Sequence, residues 1–351
     1  MRLNKLRNII FSKHLTPPFL IFFVTNKCDF KCRHCFNWQK IDQGKDDLSF
    51  HEIEKLTKEL ETVYNLLLSG GEPFLRDDLA EIINLFYTNN KTRRISIPTN
   101  SYRPCIITGK AKQILEKAKG AILEIQLSLD GTENIHNEIR GKEDSFKKTI
   151  ETYEALKKLK EKHNNLRINI AVTVNNKNAG KLKELKDYIK INMNNCDSVF
   201  WGFMRGQPRD SSMAFASWQA LEDLHKVNNF CQAGFTGAVL NDTFFHMKNK
   251  MLKLKKQIVE CSAGDLIGVI DNDGDVRFCE MLVPVGNLKE NTFRQIWHGK
   301  KAYDLREKIK NDKCYCTHEC FIAPSVLYKP GNYLKAAPFI LKALRHQCFK
   351  R

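Results

Sequence analysis

Six strand-like segments alternate with helix-like segments over the first two hundred residues, and this alternation limits the fold more than any other feature. The strands are apolar runs such as FLIFFV, whereas segments such as SFKKTIETYEALKKLKEKH carry apolar residues at helical spacing. Ser49 and Glu52 form an S-x-x-E capping box where one helix begins. Such alternation gives a parallel sheet with right-handed crossovers. Because a closed barrel takes about eight units, six predict an α/β fold with a partial (β/α)6 TIM-like barrel.

The alternation stops after Gly206, which divides the chain into four parts. A basic N-terminal segment covers 1–17, the partial barrel 18–205 and a helical linker 206–255. The last part, 256–351, begins with two short strands on either side of the turn DNDGD and ends in a basic tail. We therefore predict a second domain beyond residue 255.

Unusual residues collect where the predicted strands end. In chain order these ends are TNKC, SGGEP, IPTN, SLDG, TVNN and FMRG. The carboxyl ends of parallel barrel strands form one rim, which is where active sites of such barrels lie. Cysteines, a Gly-Gly-Glu turn, hydroxyls, carboxylates and an arginine therefore share one rim, which predicts the functional site. Trp201, Arg205 and Trp218 are predicted to face a substrate there.

Eight of the twelve cysteines form two groups in the sequence. The first group is a C-x3-C-x2-C array of Cys28, Cys32 and Cys35, directly after the first strand. The second group comprises Cys261, Cys279, Cys314, Cys316 and Cys320. In a reducing cytosol, clustered cysteines bind metal or carry out redox chemistry. The scattered cysteines are predicted to be small buried side chains: Cys105, Cys196, Cys231 and Cys348.

Three clustered thiols suggest a metal site that keeps one position open. Thiolates select iron–sulfur clusters, zinc or copper(I), and a four-iron cluster takes four ligands. Three cysteines would leave one iron free to bind another molecule. The alternative is a zinc site that His34 or a distant residue completes.

A C-x3-C-x2-C array after the first strand of a partial barrel resembles the signature of the radical SAM superfamily. The resemblance covers residues 18–205. It implies that Cys28, Cys32 and Cys35 hold a [4Fe-4S] cluster whose free iron binds S-adenosyl-L-methionine (SAM). It also implies reductive cleavage of SAM to a 5′-deoxyadenosyl radical, which abstracts hydrogen from a substrate.

Further motifs match the same family in order along the chain. The turn Gly70-Gly71-Glu72 resembles the one that holds the amino group of the methionine moiety, and Asn100 matches the turn after the third strand. By the same resemblance, Ser128 and Asp130 lie near the ribose or the methionine end of SAM. Arg140 would then lie near its carboxylate. The residues expected on the adenine side are His34, Phe36 and Val174.

The second cysteine group resembles the SPASM or twitch extension of radical SAM enzymes, which holds auxiliary iron–sulfur clusters. The hairpin C-x12-G-x4-C and the segment GNLKENTFRQIW carry the resemblance, but the cysteine-rich end is shorter than the full pattern. One auxiliary [4Fe-4S] cluster is therefore expected, on four of the five cysteines, with zinc as the alternative. Glu280 is a candidate general base by analogy, and a solvated hairpin carboxylate is the alternative.

The charge and the hydropathy of the sequence limit the classes of partner that the protein can have. Lysine and arginine number 57 against 40 acidic residues, a net charge of +17, and no acidic residue precedes Asp29 or follows Glu319. Basic segments attract anionic membranes, nucleic acids or acidic peptides, unless they are simply solvated surface. The sequence has neither a signal peptide nor an apolar run of about 20 residues, so we expect a cytoplasmic protein. The apolar residues of the basic C-terminus suggest a membrane-surface helix, or core packing: Leu334, Phe339, Ile340, Leu344 and Phe349.

These features favour an enzyme over a binding module. Enzymes with a SPASM extension commonly modify peptides or proteins, so a maturase-like oxidation or cross-link of a peptide side chain is expected. A small-molecule or lipid-linked substrate is the alternative, and a non-catalytic iron–sulfur or zinc scaffold is the alternative of another class. The implied partners are an electron donor such as flavodoxin or ferredoxin, the substrate and an anionic membrane surface. Nucleic acid is not an expected partner.

Overall fold

A computed structural model describes residues 14–44, 46–216, 234–311 and 315–348 of the chain. Six parallel strands follow one another in the order that the alternation predicts. Their apolar residues are buried because helices cover one face of the sheet and the other face encloses the barrel interior. The strands are Phe19–Thr25 (β1), Asn65–Gly70 (β2), Arg94–Thr99 (β3), Ile122–Ser128 (β4), Leu166–Val174 (β5) and Ser198–Phe203 (β6).

Helices connect these strands on the outside of the sheet. Ser49 caps the first of them: its side chain accepts from Glu52 N, and the Glu52 side chain accepts from Ser49 N, so the predicted capping box is confirmed. The helices of the barrel are Phe50–Glu59 (α1), Leu79–Asn89 (α2), Pro104–Lys117 (α3), Glu133–Arg140 (α4), Ser145–Lys160 (α5) and Leu182–Asn192 (α6).

The barrel is open, as predicted from the number of its units. The strands pair in the order β6-β5-β4-β3-β2-β1, and β1 pairs on its other side with Ile267–Ile270 (β7) rather than with β6. Asp275–Arg277 (β8) then pairs antiparallel with β7, which confirms two short strands around the DNDGD turn, and Gly286–Asn287 (β9) follows. Because β7 continues the barrel sheet, the boundary near residue 255 stays a prediction.

A helix from the C-terminal part covers the open side of the barrel. Glu319–Leu327 (α10) lines the same interior cavity as β6 and β1, and the ring of Tyr328 lies 5.0 Å from that of Phe19. The other helices beyond β6 are Gly234–Leu254 (α7), Phe293–His298 (α8), Lys300–Asn311 (α9) and Tyr333–Cys348 (α11).

The last helix forms a small second core with α7 and α10. Phe339 and Ala336 of α11 are buried against Met247 and Met251 of α7, and Ile322 of α10 joins them. Core packing is therefore confirmed for this face of α11, although Leu334 is 88% exposed. Within the described ranges, no helix combines the length and the apolar character needed to cross a membrane.

The scattered cysteines do not share one environment. Cys196 is buried, as predicted. The prediction was wrong for Cys105 and Cys348, which are both exposed because they lie on the solvent sides of α3 and α11. Cys231 lies outside the described residues, as do Trp218, Cys314, Phe349 and residues 1–13.

Gly109 lies inside α3 and has open space around it, since a Cβ atom there would meet nothing within 4 Å. We expect Gly109→Ala to raise the free energy of unfolding by about 0.5–1 kcal/mol, because alanine loses less backbone entropy in a helix. Thermal unfolding of the metal-free chain, followed by circular dichroism, would measure this. A lower melting temperature than that of the unchanged chain would contradict the described helix.

Candidate active site at the carboxyl ends of the strands

The first cysteine group lies in a loop that begins where β1 ends. Asp47 holds the start of this loop: it accepts hydrogen bonds from Thr25 Oγ1 at 2.6 Å and from Asn26 N at 3.0 Å. Asn272, in the DNDGD turn, donates to the same carboxylate at 3.0 Å. The C-terminal hairpin therefore helps to place the cysteine loop.

The three thiols are poorly solvated. Burial raises the pKa of Cys32 to about 11, and it also raises the pKa of Cys28 and of Cys35. Buried thiols of this kind become thiolates when a metal binds them. The loop is thus suited to hold a metal group rather than free thiolates.

The sulfur atoms do not form a compact set. Among the residues that the structure describes, no three cysteine sulfurs lie within 4.8 Å of one another. Thiolates around one zinc ion, at Zn–S distances of about 2.3 Å in a tetrahedron, would be about 3.8 Å apart. Three cysteines of this part of the chain therefore do not form a ready-made zinc site.

The Gly-Gly-Glu turn packs directly on the start of the cysteine loop. Gly71 N donates to Thr25 O and Glu72 N donates to Lys27 O, both at 2.8 Å. A Cβ atom on Gly70 would lie 2.1 Å from Thr25 O, and one on Gly71 would lie 2.1 Å from Lys27 O. Gly70 also has a φ of +132°, which side chains rarely allow. Both glycines are therefore required by close backbone contact.

Glu72 joins the ends of β2 and β3. Its carboxylate accepts hydrogen bonds from Asn100 N at 2.7 Å, from Thr99 Oγ1 at 3.0 Å and from Phe74 N at 3.1 Å. Burial raises its pKa to about 7 in spite of these hydrogen bonds. A carboxylate offers about four acceptor positions, so one remains for a ligand in the cavity that Glu72 lines.

Asn100 binds the cysteine loop through its side chain. Its Nδ2 donates to Asp29 Oδ1 at 2.7 Å, and its Oδ1 accepts from Tyr102 N at 3.0 Å. Arg103 binds the second oxygen of Asp29 at 2.8 Å. Asn100 lines the cavity, so the predicted turn after β3 lies beside the first cysteine group.

A buried ion pair lies behind Cys32. Arg140 Nη2 is 2.7 Å from Asp130 Oδ2, and Arg140 Nη1 is 3.9 Å from the sulfur of Cys32. Burial alone would raise the pKa of Asp130, but the Arg140 guanidinium and nearby histidines lower it below its usual value. Asp130 therefore stays ionised, and Arg140 provides a fixed positive charge beside the first cysteine group.

Two histidines lie against this ion pair. His34 Nε2 is 4.0 Å from Asp130 Oδ2, and Nδ1 of His136 accepts a hydrogen bond from Asp130 N at 3.1 Å. Burial, together with the Arg140 charge, lowers the pKa of His34 to about 4 and that of His136 to about 3. Both rings are therefore neutral. In the described part of the chain, His34 Nδ1 is buried without a hydrogen-bond partner, although the residue lines the cavity.

Sequence reasoning did not single out His136 or Asn178. Asn178 Nδ2 donates to Asp130 O at 2.8 Å, and it thereby holds the end of β4 against the loop after β5. His136 precedes Arg140 by four residues, a spacing that puts both on one helix face and could have drawn attention to it. The sequence around Asn178 contains no comparable local signal.

One cavity of about 1580 Å³ joins the predicted residues. The described residues that line it include Cys28, Cys32, Cys35, His34, Phe36, Gly70, Gly71, Glu72, Asn100, Ser128, Arg140 and Arg205. Asp130 supports the wall from behind, and Val174 is fully buried away from the cavity. Thr173 lines the cavity instead, because adjacent residues of a strand face opposite sides of the sheet. The structure thus does not bring Val174 to a ligand in this cavity.

Trp201 departs from the sequence prediction for the same reason. Phe200 and Gly202 of β6 line the cavity, whereas the side chain of Trp201 is buried on the other face. Arg205, after β6, does reach the cavity, and its guanidinium lies 4.4 Å from the ring centre of Phe36. A cation–π contact therefore connects Arg205 to the cysteine loop.

The second cysteine group reaches the same cavity through Cys320. Cys320 lines the cavity at the start of α10, and Cys316 is close enough to raise the pKa of Cys279 and of Cys320. Burial is the larger cause, and it raises the pKa of Cys279 and of Cys320 to about 12. Ser262 N donates to Ser325 Oγ at 2.9 Å, which ties the residue after Cys261 to α10. These four thiols suit a second metal group.

Glu280 is buried, so the alternative of a solvated surface carboxylate was wrong. Its side chain is 4% exposed, and Oε2 lies 2.9 Å from Arg205 Nη2 and 3.4 Å from His318 Nδ1. Burial raises the pKa of Glu280, although Arg205 opposes this. Burial and the Arg205 charge lower the pKa of His318 well below its usual value. Glu280 therefore lies between the two cysteine groups, with Arg205 as its counter-ion.

Family models match both halves of the chain. Residues 22–202 match the model of the radical SAM superfamily, and residues 261–321 match SPASM, an iron–sulfur cluster-binding domain. Among similar curated proteins, the antilisterial bacteriocin subtilosin biosynthesis protein AlbA of Bacillus subtilis is 22% identical, over 91% of this chain and 68% of its own. The AdoMet-dependent heme synthase of Methanosarcina barkeri is 23% identical, over 93% of this chain and 96% of its own.

Solved structures share the fold. One titled anSMEcpe with bound AdoMet is 17% identical, with a TM-score of 0.63, and the match covers 95% of both chains. Streptococcus suis SuiB bound to precursor peptide SuiA is 15% identical, with a TM-score of 0.57, over 86% of this chain and 69% of that one. At these identities the likeness establishes the arrangement of strands and helices.

Proposed function

The chain belongs to the radical SAM superfamily, and from that premise we propose that it takes a hydrogen atom from a peptide side chain and oxidises or cross-links that side chain. The observation that carries the proposal is the cavity that Cys28, Cys32 and Cys35 line together with Cys320 of the second group. A substrate in this cavity would contact both the SAM site and the auxiliary cluster site, at Cys320.

Different residues would have different roles in the first step, which is the cleavage of SAM. Cys28, Cys32 and Cys35 would hold the [4Fe-4S] cluster, and Arg140 would supply a positive charge for the carboxylate of SAM. When bound there, the cluster would supply the one electron for cleavage of a C–S bond of SAM to methionine and the 5′-deoxyadenosyl radical, which would abstract the hydrogen atom. Glu72, Asn100 and the neutral His34, which line the cavity, would orient SAM there.

The residues around the second cysteine group would complete an oxidation. After hydrogen abstraction, the substrate loses one electron and one proton. Cys261, Cys279, Cys320 and either Cys314 or Cys316 would hold an auxiliary cluster, which would supply an acceptor for the electron. Glu280 is the candidate acceptor for the proton, since it is buried beside Cys279 and paired with Arg205.

A peptide is the substrate class that the relatives favour. The similar curated protein from B. subtilis takes part in the biosynthesis of a bacteriocin, and one solved neighbour binds a precursor peptide. The cavity volume of about 1580 Å³ also suits a peptide segment next to SAM. The second candidate is a heme-like small molecule, which the heme synthase of M. barkeri supports because the match spans nearly all of both chains.

The test is anaerobic reconstitution of the full chain with iron and sulfide, followed by addition of dithionite and SAM. We expect 5′-deoxyadenosine and methionine in equal amounts. A cluster-loaded protein that leaves SAM intact would overturn the enzyme proposal and favour a non-catalytic scaffold. A precursor peptide encoded next to the gene should then change in mass, whereas a change only in a porphyrin would favour the second candidate.

Arg140 and Glu280 should affect different steps. We expect Arg140→Gln to lower the rate of SAM cleavage by roughly tenfold or more, since one fixed charge beside a carboxylate contributes about 1.5–3 kcal/mol. Glu280→Gln should change that rate by less than about twofold, because Glu280 lies on the auxiliary side. Formation of 5′-deoxyadenosine with dithionite measures both.

The control for this pair of variants is Glu290→Gln, an exposed carboxylate of the same domain. Cluster absorbance should be equal in all three variants, which separates a lost contact from a misfolded site. Equal loss of SAM cleavage in Arg140→Gln and Glu280→Gln would contradict the division of roles.

The remaining partners belong to the same proposal. An acidic one-electron donor such as flavodoxin or ferredoxin would suit the net charge of +17. We place the protein in the cytoplasm, where it would bind the anionic surface of a membrane through its basic segments. Nucleic acid is not proposed as a partner.

A further inference from the structure

An exposed apolar stripe runs along the outer face of α11. Leu334 is 88% exposed and Leu341 is 57% exposed, and Pro338 between them is also exposed. The spacing of four and three residues puts all three on one side of the helix. The opposite side, with Ala336 and Phe339, is packed on α7, so the stripe faces solvent.

The end of α7 lies near the start of α11 because the two helices run antiparallel. Asp242, early in α7, binds Gln347 near the end of α11 at 2.6 Å. Lys250, late in α7, lies 5.4 Å from the ring centre of Phe339, nearer the start of α11. The exposed lysines that follow α7 are therefore at the same end as Leu334. We call Leu334, Pro338 and Leu341 the leucine patch.

Positive side chains surround the leucine patch. The exposed cations of the two helix ends are Lys255, Lys256, Lys335, Lys342 and Arg345. α11 contains no acidic residue, and the one in α7, Asp242, is buried and bound to His346. Glu260 and Asp265, nearby in the chain, both pair with Lys329. The patch thus combines apolar side chains with a cationic margin.

We infer that the leucine patch docks on an anionic lipid bilayer, with its leucines among the acyl chains and its cations at the phosphate groups. This rests on the proposed membrane association and names the surface responsible. An apolar stripe with flanking lysines and arginines is the pattern of a helix that lies in the interface of a membrane. Lipid phosphates complement the cations.

The positive charge around the leucine patch disfavours the other candidate partners, which are a second copy of the chain and a nucleic acid. A second copy of the chain would bring an equal set of cations against the first, and like charges repel. A nucleic acid would match the cations but would leave the leucines against polar phosphates. The patch also lies behind α10, since Ile322 of α10 packs in the same small core, so binding there leaves the cavity side of α10 free.

The test is sedimentation of the full chain with vesicles of phosphatidylcholine, with and without phosphatidylglycerol. We expect binding only to the anionic vesicles. Lys335→Gln with Lys342→Gln and Arg345→Gln should lower the partition coefficient by roughly tenfold or more. Leu334→Ser with Leu341→Ser should lower it by roughly fivefold or more, since both leucines leave water on binding.

Matched controls lie on or directly beside the barrel helices. Lys147→Gln with Lys162→Gln and Lys183→Gln removes the same charge from exposed positions, and Ile191→Ser removes an apolar side chain that is 74% exposed. These controls should bind within about twofold of the unchanged chain. All variants should still cleave SAM with dithionite. Loss of SAM cleavage and loss of vesicle binding are therefore separate outcomes.

Three outcomes would overturn the inference. If the unchanged chain does not sediment with anionic vesicles, the membrane association itself is wrong. If the controls lose as much binding as the patch variants, the surface is wrong although the association stands. A dimer in light scattering that the leucine variants abolish would assign the patch to a second copy instead.

Discussion

Replacement of Cys28, Cys32 and Cys35 together by alanine is expected to abolish cleavage of SAM. The three thiols lie in one loop against one cavity, and the loop offers no other thiol in their place. Iron and sulfide should fall from about eight to about four per chain, because a second four-iron cluster remains on the other cysteine group. Metal analysis and the assay for 5′-deoxyadenosine measure both effects.

The control for the cysteine variant is Cys105→Ala with Cys348→Ala, which removes two exposed thiols that belong to neither group. It should keep its iron and its activity. A triple variant that still forms 5′-deoxyadenosine would contradict the assigned site. Complete loss of iron from the triple variant would show instead that the second group holds no cluster by itself.

Gly71→Ala is expected to have the second large effect. Its Cβ atom would lie 2.1 Å from Lys27 O and 3.0 Å from the Cβ atom of Cys28. The atoms in the way belong mostly to the backbone of the cysteine loop, which cannot move without displacing Cys28. We expect a loss of about 1–3 kcal/mol or more in the free energy of unfolding, together with a SAM cleavage rate lowered by roughly a hundredfold.

Gly180→Ala is the matched control, since its Cβ atom would meet nothing within 4 Å. Thermal unfolding of the metal-free chain and the rate of 5′-deoxyadenosine formation should separate the two variants clearly. Equal behaviour of Gly71→Ala and Gly180→Ala would mean that the turn does not pack on the cysteine loop as described.

Much of the site could be predicted because it follows strand ends. The side chains of Glu72, Asn100 and Arg205 lie at the cavity because each follows a strand in sequence, and parallel strands end at one rim. It was harder to predict which set of alternate residues in a strand faces the cavity. Val174 and Trp201 were each assigned to the cavity, yet Thr173 and Phe200 line it, because the point at which a strand enters the sheet sets which residues face inward.

Contacts between distant segments had no signal in the sequence. Asp47 binds Asn272 at 3.0 Å across 225 residues, and Glu280 lies 2.9 Å from Arg205 across 75 residues. Nothing in the local pattern around Glu280 separates a buried carboxylate from a solvated one. The leucine patch has the same character, since only the packing of α11 on α7 buries Phe339 and leaves Leu334 and Leu341 exposed.

The sequence by itself determined the α/β class, the order of the strands, the two cysteine groups and the rim that carries the chemistry. These features depend on periodicity and on spacing along the chain, which are local properties. Only the tertiary structure decided that α10 closes the open side of the barrel, that both cysteine groups face one cavity, and that Glu280 is buried against Arg205. Burial and long-range contact arise from the packing of segments far apart in sequence, so they become visible only when the chain is folded.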